Sequence, residues 1–139
     1  MKLAIALFIG LICTSLNAVA MNPVDEIATR SGLPASEVVA LLTNCDVSQT
    51  SMNFCAWRDQ LVADQNLQLA ISHKTTQFPA CKSRLEKQTA RWTRQRDLAC
   101  RKGAQQDWGN GSIHQAAQAI CVTKETQRIT GKVKAFHCQ

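Results

Sequence analysis

Beyond residue 20, hydrophobic positions recur along the chain at helical rather than strand spacing. From roughly Thr50 to Ser72, Met52, Ala56, Ala63, Leu67 and Ile71 follow in steps of four, seven, four and four. Trp57 and Leu61 flank this stripe, and the skipped turn carries a carboxylate, Asp59. Phe78-Pro79 breaks the pattern. A second helix is predicted from about Ala80 to Lys102, with Cys81, Leu85, Gln88, Trp92, Arg96 and Ala99 inward and Cys100 beside them. A third is predicted from about Ser112 to Phe136, capped by Ser112. Its buried side is Ile113, Ala117, Ile120, Val122, Ile129, Val133 and Phe136. No period-two alternation persists long enough for a sheet. The predicted fold is all-α.

Two short helices precede these three. Asn22 can cap the first, with Pro23 in its opening turn and Ser31-Gly32 at its end. Pro34 opens the second, whose apolar face is Val38, Val39, Leu41 and Leu42. The stretch "IATRSGLPASEVVALL" has the look of a DNA-binding helix-turn-helix. What stands before it argues for a helical hairpin packed on the main bundle instead. "MKLAIALFIGLICTSLNAVA" has one charge at Lys2, an apolar run from Leu3 to Cys13, and Ala18-Val19-Ala20 at its end. This is the form of a signal peptide, with cleavage expected before Met21 and export to the periplasm or beyond. The apolar run is too short for a comfortable bilayer span, and Ile12 before Cys13 spoils a lipid-attachment site. The expected organisation is a signal peptide over 1–20, a helical extension over 21–44 and a helical domain over 45–139.

Export changes how the cysteines read. Of seven, six remain after Cys13 is removed: Cys45, Cys55, Cys81, Cys100, Cys121 and Cys138. An even number in a short exported chain implies a disulfide framework. If the second and third long helices are antiparallel and Cys100–Cys121 closes the turn between them, the two can be followed away from that bridge. Cys81 lies 19 residues back and Cys138 17 residues on. At a rise of ~1.5 Å per residue these distances are about 28 and 26 Å, nearly level. Cys81–Cys138 then closes the far end and Cys45–Cys55 forms a local clasp. Among the possible pairings, this one needs the least rearrangement. The result is a small disulfide-braced bundle of three main helices with an N-terminal helical hairpin.

Three stretches carry a resemblance. "CDVSQTSMNFCA", "ARWTRQRDLAC" and "GNGSIHQAAQAICVTKET" resemble the LprI-type lysozyme-inhibitor family of small exported bacterial helical domains. Trp92, Arg96, Asp97, Cys100, Gly111, Ser112, Cys121 and Thr126 fit its pattern over about Cys45 to Val133. Against that pattern, Ile71 stands where a tyrosine is usual and Ile129 where an arginine is usual. Cys81 and Cys138 add to a four-cysteine core. The resemblance implies a protein partner, a lysozyme-like or other peptidoglycan-degrading enzyme, inhibited by stoichiometric occlusion.

The candidate chemistry is consistent with binding rather than catalysis. The carboxylates and three histidines form no recognisable catalytic motif, and His73, His114 and His137 lack metal spacing. No enzyme activity, cofactor or metal is expected. The full chain has a net charge of +6, or +5 without Lys2. Such a chain gains no long-range steering toward a basic lysozyme, so an acidic or neutral hydrolase suits it better. Lys82, Arg84, Lys87, Arg91, Arg94, Arg101 and Lys102 crowd the second long helix. They read first as a solvated face, and aromatics are not interleaved as in single-strand binders, so no nucleic acid partner is expected. The alternative function is a non-inhibitory envelope protein that binds anionic polymers through this basic helix. Arg96 is different: it shares the Trp92 stripe and reads as a structural core arginine paired with Asp59, Asp64 or Glu125. The expected partner-binding residues are Trp108, Asn110, Gly111, Ser112 and His114. They form an aromatic-tipped, glycine-broken turn held at its base by Cys100–Cys121.

Overall fold

In a computed structural model of the chain, which describes residues 21–138, every regular element is a helix. The expected signal peptide over 1–20 lies outside the described residues. The helices are α1 (Pro23–Ser31), α2 (Ala35–Thr43), α3 (Gln49–Gln77), α4 (Lys82–Trp108) and α5 (His114–Lys134), with a single 3-10 turn at Pro79–Cys81. Among the described residues, no helix is long and apolar enough to cross a membrane.

Capping chemistry sets the early boundaries. The Asn22 side chain accepts from the Val24 N–H at 2.9 Å, and Gly32 ends α1 in the left-handed region at φ 73°. Ser48 caps α3 by accepting from the Ser51 N–H at 3.0 Å. The α1–α2 hairpin packs on α3. Ile27 and Val38 are fully buried with Leu61, and Phe54 and Trp57 meet edge to face beside them at 6.0 Å. Val39, expected on the buried face of α2, is instead exposed, because the face turned to α3 is that of Val38 and Leu42.

The three long helices are not all antiparallel. Asn53 Nδ2 donates to the Ser112 carbonyl at one end of the α3–α5 pair, and Lys74 Nζ donates to the Lys134 carbonyl at the other. Helices α3 and α5 therefore run parallel and in direct contact, with α4 antiparallel to both and packed mainly on α5. Near the α4–α5 turn, small residues line the α3–α5 seam: Ala56, Ala116 and Ala119, with Met52 at the edge. At the opposite end the core is bulky, built from Leu67, Leu85, Ile129 and Val133 around Cys81, with Trp92 and Phe136 packed against it. Trp92, predicted on the inward stripe, is partly buried against this core. Its ring meets Phe136 edge to face at 6.4 Å, and Lys132 Nζ lies 5.3 Å from its centroid.

Two predicted stripes shift by one position. On α4, Ala99 is exposed while Thr89, Cys100 and Ala104 are buried. On α5, Ile120 is 57% exposed while Ala116, Ala119 and Thr126 are buried. One constraint explains both. Cys100 and Cys121 face each other, with Cα atoms 5.5 Å apart, and this sets the inward face of each helix one position away from Ala99 and Ile120. The other bridges are Cys45–Cys55 and Cys81–Cys138, with Cα separations of 5.8 and 5.2 Å.

Non-reducing peptide mapping should recover these three bridges, and Cys81 joined to Cys100 would refute the arrangement. Replacing Cys81 and Cys138 together with serine should lower the unfolding free energy by roughly 2–5 kcal/mol. Urea denaturation under non-reducing conditions measures this. An unchanged midpoint would mean that packing alone secures the far end.

Candidate functional site

The turn between α4 and α5 begins with the indole. Trp108 is the last residue of α4, not a loop residue, and the helix runs six residues past its predicted end at Lys102. Nothing in Gly103 to Asp107 breaks a helix except Gly103 itself, a weak interruption inside a long element. Gly109 then ends the helix at φ 57°, ψ −132°, donating its N–H to the Gln105 carbonyl at 3.0 Å. Gly109 thus supplies the positive φ of the glycine-broken turn. Gly111 serves close approach instead: its N–H donates to the Trp108 carbonyl at 3.2 Å, and a Cβ there would sit 3.3 Å from that oxygen. Asn110 accepts from Gln105 Nε2 at 3.3 Å.

Ser112 does not cap α5. The His114 N–H donates to the Gly111 carbonyl at 3.0 Å, which tightens the turn and moves the helix start to His114. The Ser112 carbonyl accepts from Asn53, so α3 steadies the turn, while the rest of the residue is exposed. Trp108 is 49% exposed. Trp108, Asn110, Gly111 and Ser112 therefore share one exposed tip, braced by Cys100–Cys121 and by Asn53. His114 does not join them. It is half-buried, and its Nε2 lies out of reach of solvent without a hydrogen-bond partner.

Deeper in the bundle, Arg96 joins all three long helices. Its Nη1 donates to Asp64 of α3 at 2.8 Å and to Thr126 Oγ1 of α5 at 2.6 Å, and its Nε donates to Asp97 at 2.7 Å. Of the carboxylates expected to pair with it, Asp64 does so, whereas Asp59 and Glu125 hold Arg58 and Arg128. Asp97 is the partner that stripe reasoning missed, because adjacent residues on a helix do not share a face. Burial pulls the guanidinium pKa down. The hydrogen bond and charge of Asp97, with those of Asp64, more than reverse this and leave it above the usual arginine value. The Arg96 side chain is 10% exposed, Asp64 37% and Asp97 58%. The cation is buried and its partners reach solvent. This is a structural joint.

A separate concavity lies along the open side of the α3–α5 pair. It is a groove of about 990 Å³ lined by Val62, Leu69, His73, Lys74, Thr130 and Lys134, among others. None of the predicted partner-binding residues reaches it. Its sequence signal is slight: Val62 and Leu69 are two large apolar residues off the buried stripe of α3. Among the described residues, no three His, Cys, Asp or Glu side chains converge as a metal site would require.

The family model described as lysozyme inhibitor LprI matches residues 43–132. No curated protein and no solved structure matches the chain. The matched span takes in the Cys45–Cys55 clasp, the Arg96 joint and the whole tip.

Substitutions at two positions separate the joint from the turn. Arg96→Ala should destabilise the protein by about 2–3 kcal/mol, the scale of lost charged hydrogen bonds, because Asp64 can be rehydrated. Arg96→Lys should recover only part of this, since one ammonium cannot reproduce the planar fork. Thermal melts of both variants test the point, and an unchanged Arg96→Ala melt would show the side chain to be solvated. Gly109→Ala should cost about 1–3 kcal/mol, because its backbone conformation is one that L side chains rarely adopt. Differential scanning calorimetry would register the loss.

Proposed function

The chain belongs to the LprI lysozyme-inhibitor family, and on that premise we propose that it is an exported protein that inhibits a peptidoglycan-degrading enzyme by stoichiometric occlusion, presenting the α4–α5 tip to its target. The family match carries this reading. Three disulfides support an oxidising, extracytoplasmic setting, periplasmic or secreted.

The tip has the physical attributes of a recognition element. A half-exposed indole supplies large, stiff contact area, and tryptophan is enriched among residues that dominate binding energy. The turn is ordered before any partner arrives: Gly109 fixes its direction, Asn53 holds Ser112, and a covalent bridge joins the helices behind it. Preorganisation lowers the entropy lost on association. Trp108, Asn110, Gly111 and Ser112 form the contact surface in this reading, and His114 supports it from beneath. The mechanism needs no bond-making. A tip that occupies the substrate cleft competes directly with glycan, so one inhibitor silences one enzyme.

Titrating the oxidised protein against a panel of muralytic enzymes, basic and acidic, should reveal at least one whose glycan hydrolysis falls in proportion to inhibitor added. Trp108→Ala should weaken that complex by about 2 kcal/mol or more while leaving the melting temperature nearly unchanged. Inhibition of none of the panel would overturn the reading. Trp108→Ala that unfolds the protein, yet binds normally in its folded fraction, would assign the indole to the core and move the contact surface away from the tip.

A further inference from the structure

The outer face of α4 is a row of cations without partners. Lys87, Arg91, Arg94 and Arg101 are exposed and follow in steps of four, three and seven, so they lie along one side of the helix. Lys102 extends the row at one end, and Arg84, which donates to the His137 carbonyl and lies over the Phe136 ring, extends it at the other. The row from Lys87 to Arg101 is about 21 Å long at ~1.5 Å per residue. Among the described residues, none of the four lies within ion-pair distance of a carboxylate. Asp97, one turn before Arg101, is engaged by Arg96.

The arginines outside α4 are arranged differently. Arg30 pairs with Glu26, Arg58 with Asp59 and Arg128 with Glu125. On α4 the chain instead places like charges at three- and four-residue spacings, Arg84 with Lys87, Lys87 with Arg91 and Arg91 with Arg94. Such pairs destabilise a helix. An anionic ligand laid along the row would relieve all of these repulsions at once.

We propose that this face docks a linear phosphodiester polymer of the cell envelope, with its phosphates running along α4. The row is single-file and straight, as a chain-like polyanion requires. It has no apolar side to insert into a bilayer, since Leu98, 53% exposed, is the only large hydrophobic residue within it. Several weak, solvent-exposed contacts of this kind give binding that is steeply salt-dependent.

The docking would also resolve a difficulty of charge. A +5 inhibitor is not drawn toward a basic hydrolase, but both would concentrate on the same polyanion, and shared tethering raises the effective concentration of one for the other. That benefit rests on the inhibitor reading. The polymer binding does not, and it is tested without any enzyme.

The probe is fluorescently labelled poly(glycerol phosphate), titrated with the oxidised protein from low to physiological salt. The expected result is saturable binding that weakens steeply with salt. Replacing Lys87, Arg91, Arg94 and Arg101 together with glutamine should reduce affinity on the order of 10²–10³-fold at low salt and flatten the salt dependence, with the melting temperature kept. The control replaces Arg30, Arg58, Lys74 and Lys134 with glutamine, removing the same net charge from other faces, and should lose far less. Absence of binding by the unaltered protein, or equal losses in the two four-fold variants, would overturn the proposal. Tighter binding to phosphatidylglycerol-containing vesicles than to the polymer would overturn it in favour of a bilayer surface.

Discussion

The three long helices meet at one guanidinium, and much of the bundle's geometry follows from satisfying it. Arg96 enters from α4, Asp64 faces it from α3 and the hydroxyl of Thr126 from α5. Thr126 is fully buried, and its Oγ also donates back to the Val122 carbonyl at 2.7 Å, so its orientation is set within its own helix. A planar donor group with fixed partners permits few rotations of one helix against another. It divides the interior into two unlike halves. Toward the tip, alanines allow α3 and α5 to approach closely; toward the far end, leucine, isoleucine and valine fill a wider space capped by Trp92 and Phe136. A buried cation is weak evidence of stability by itself. Here it acts as a register mark between the two halves.

Element type and covalent framework are legible in the sequence, because periodicity and cysteine spacing are both one-dimensional signals of helix geometry. Reading α4 and α5 outward from Cys100–Cys121 leads to the far bridge because both helices rise equally per residue. The errors fall where a tertiary constraint overrides local preference. Ile120 is the more hydrophobic residue, yet Ala119 and Cys121 on either side of it have obligatory neighbours, so isoleucine is left in solvent. The end of α4 is misplaced because its last turns, "GAQQDW", lack an apolar stripe. The parallel course of α3 and α5 is invisible to any local pattern. It is decided by α4, which runs back antiparallel so that α5 can return alongside α3.

At the tip, the residue types are readable and their division of labour is not. Two glycines in "GNG" look equivalent on paper. In three dimensions Gly109 carries the unusual backbone and Gly111 leaves room for a carbonyl. A histidine three residues further on looks like a hydrogen-bonding group for a partner, yet the first turn of α5 rolls its Nε2 inward. The cationic row of α4 is the converse case. The charges are conspicuous in the sequence, but their lack of partners emerges only when every nearby carboxylate is located.

The positions of the three bridges determine what a protease can remove. A cut anywhere in the turn between Cys100 and Cys121 divides the chain, but both Cys100–Cys121 and Cys81–Cys138 span it, so the two pieces stay joined at both ends of the α4–α5 pair. Clipping the tip therefore releases no fragment. The opposite holds upstream. Residues 21–44 precede the first bridged cysteine and are kept in place by packing of Ile27 and Val38 on Leu61. A single cut before Cys45 leaves the α1–α2 hairpin free to dissociate, uncovering Leu61, Phe54 and Trp57 while the braced bundle remains one covalent body.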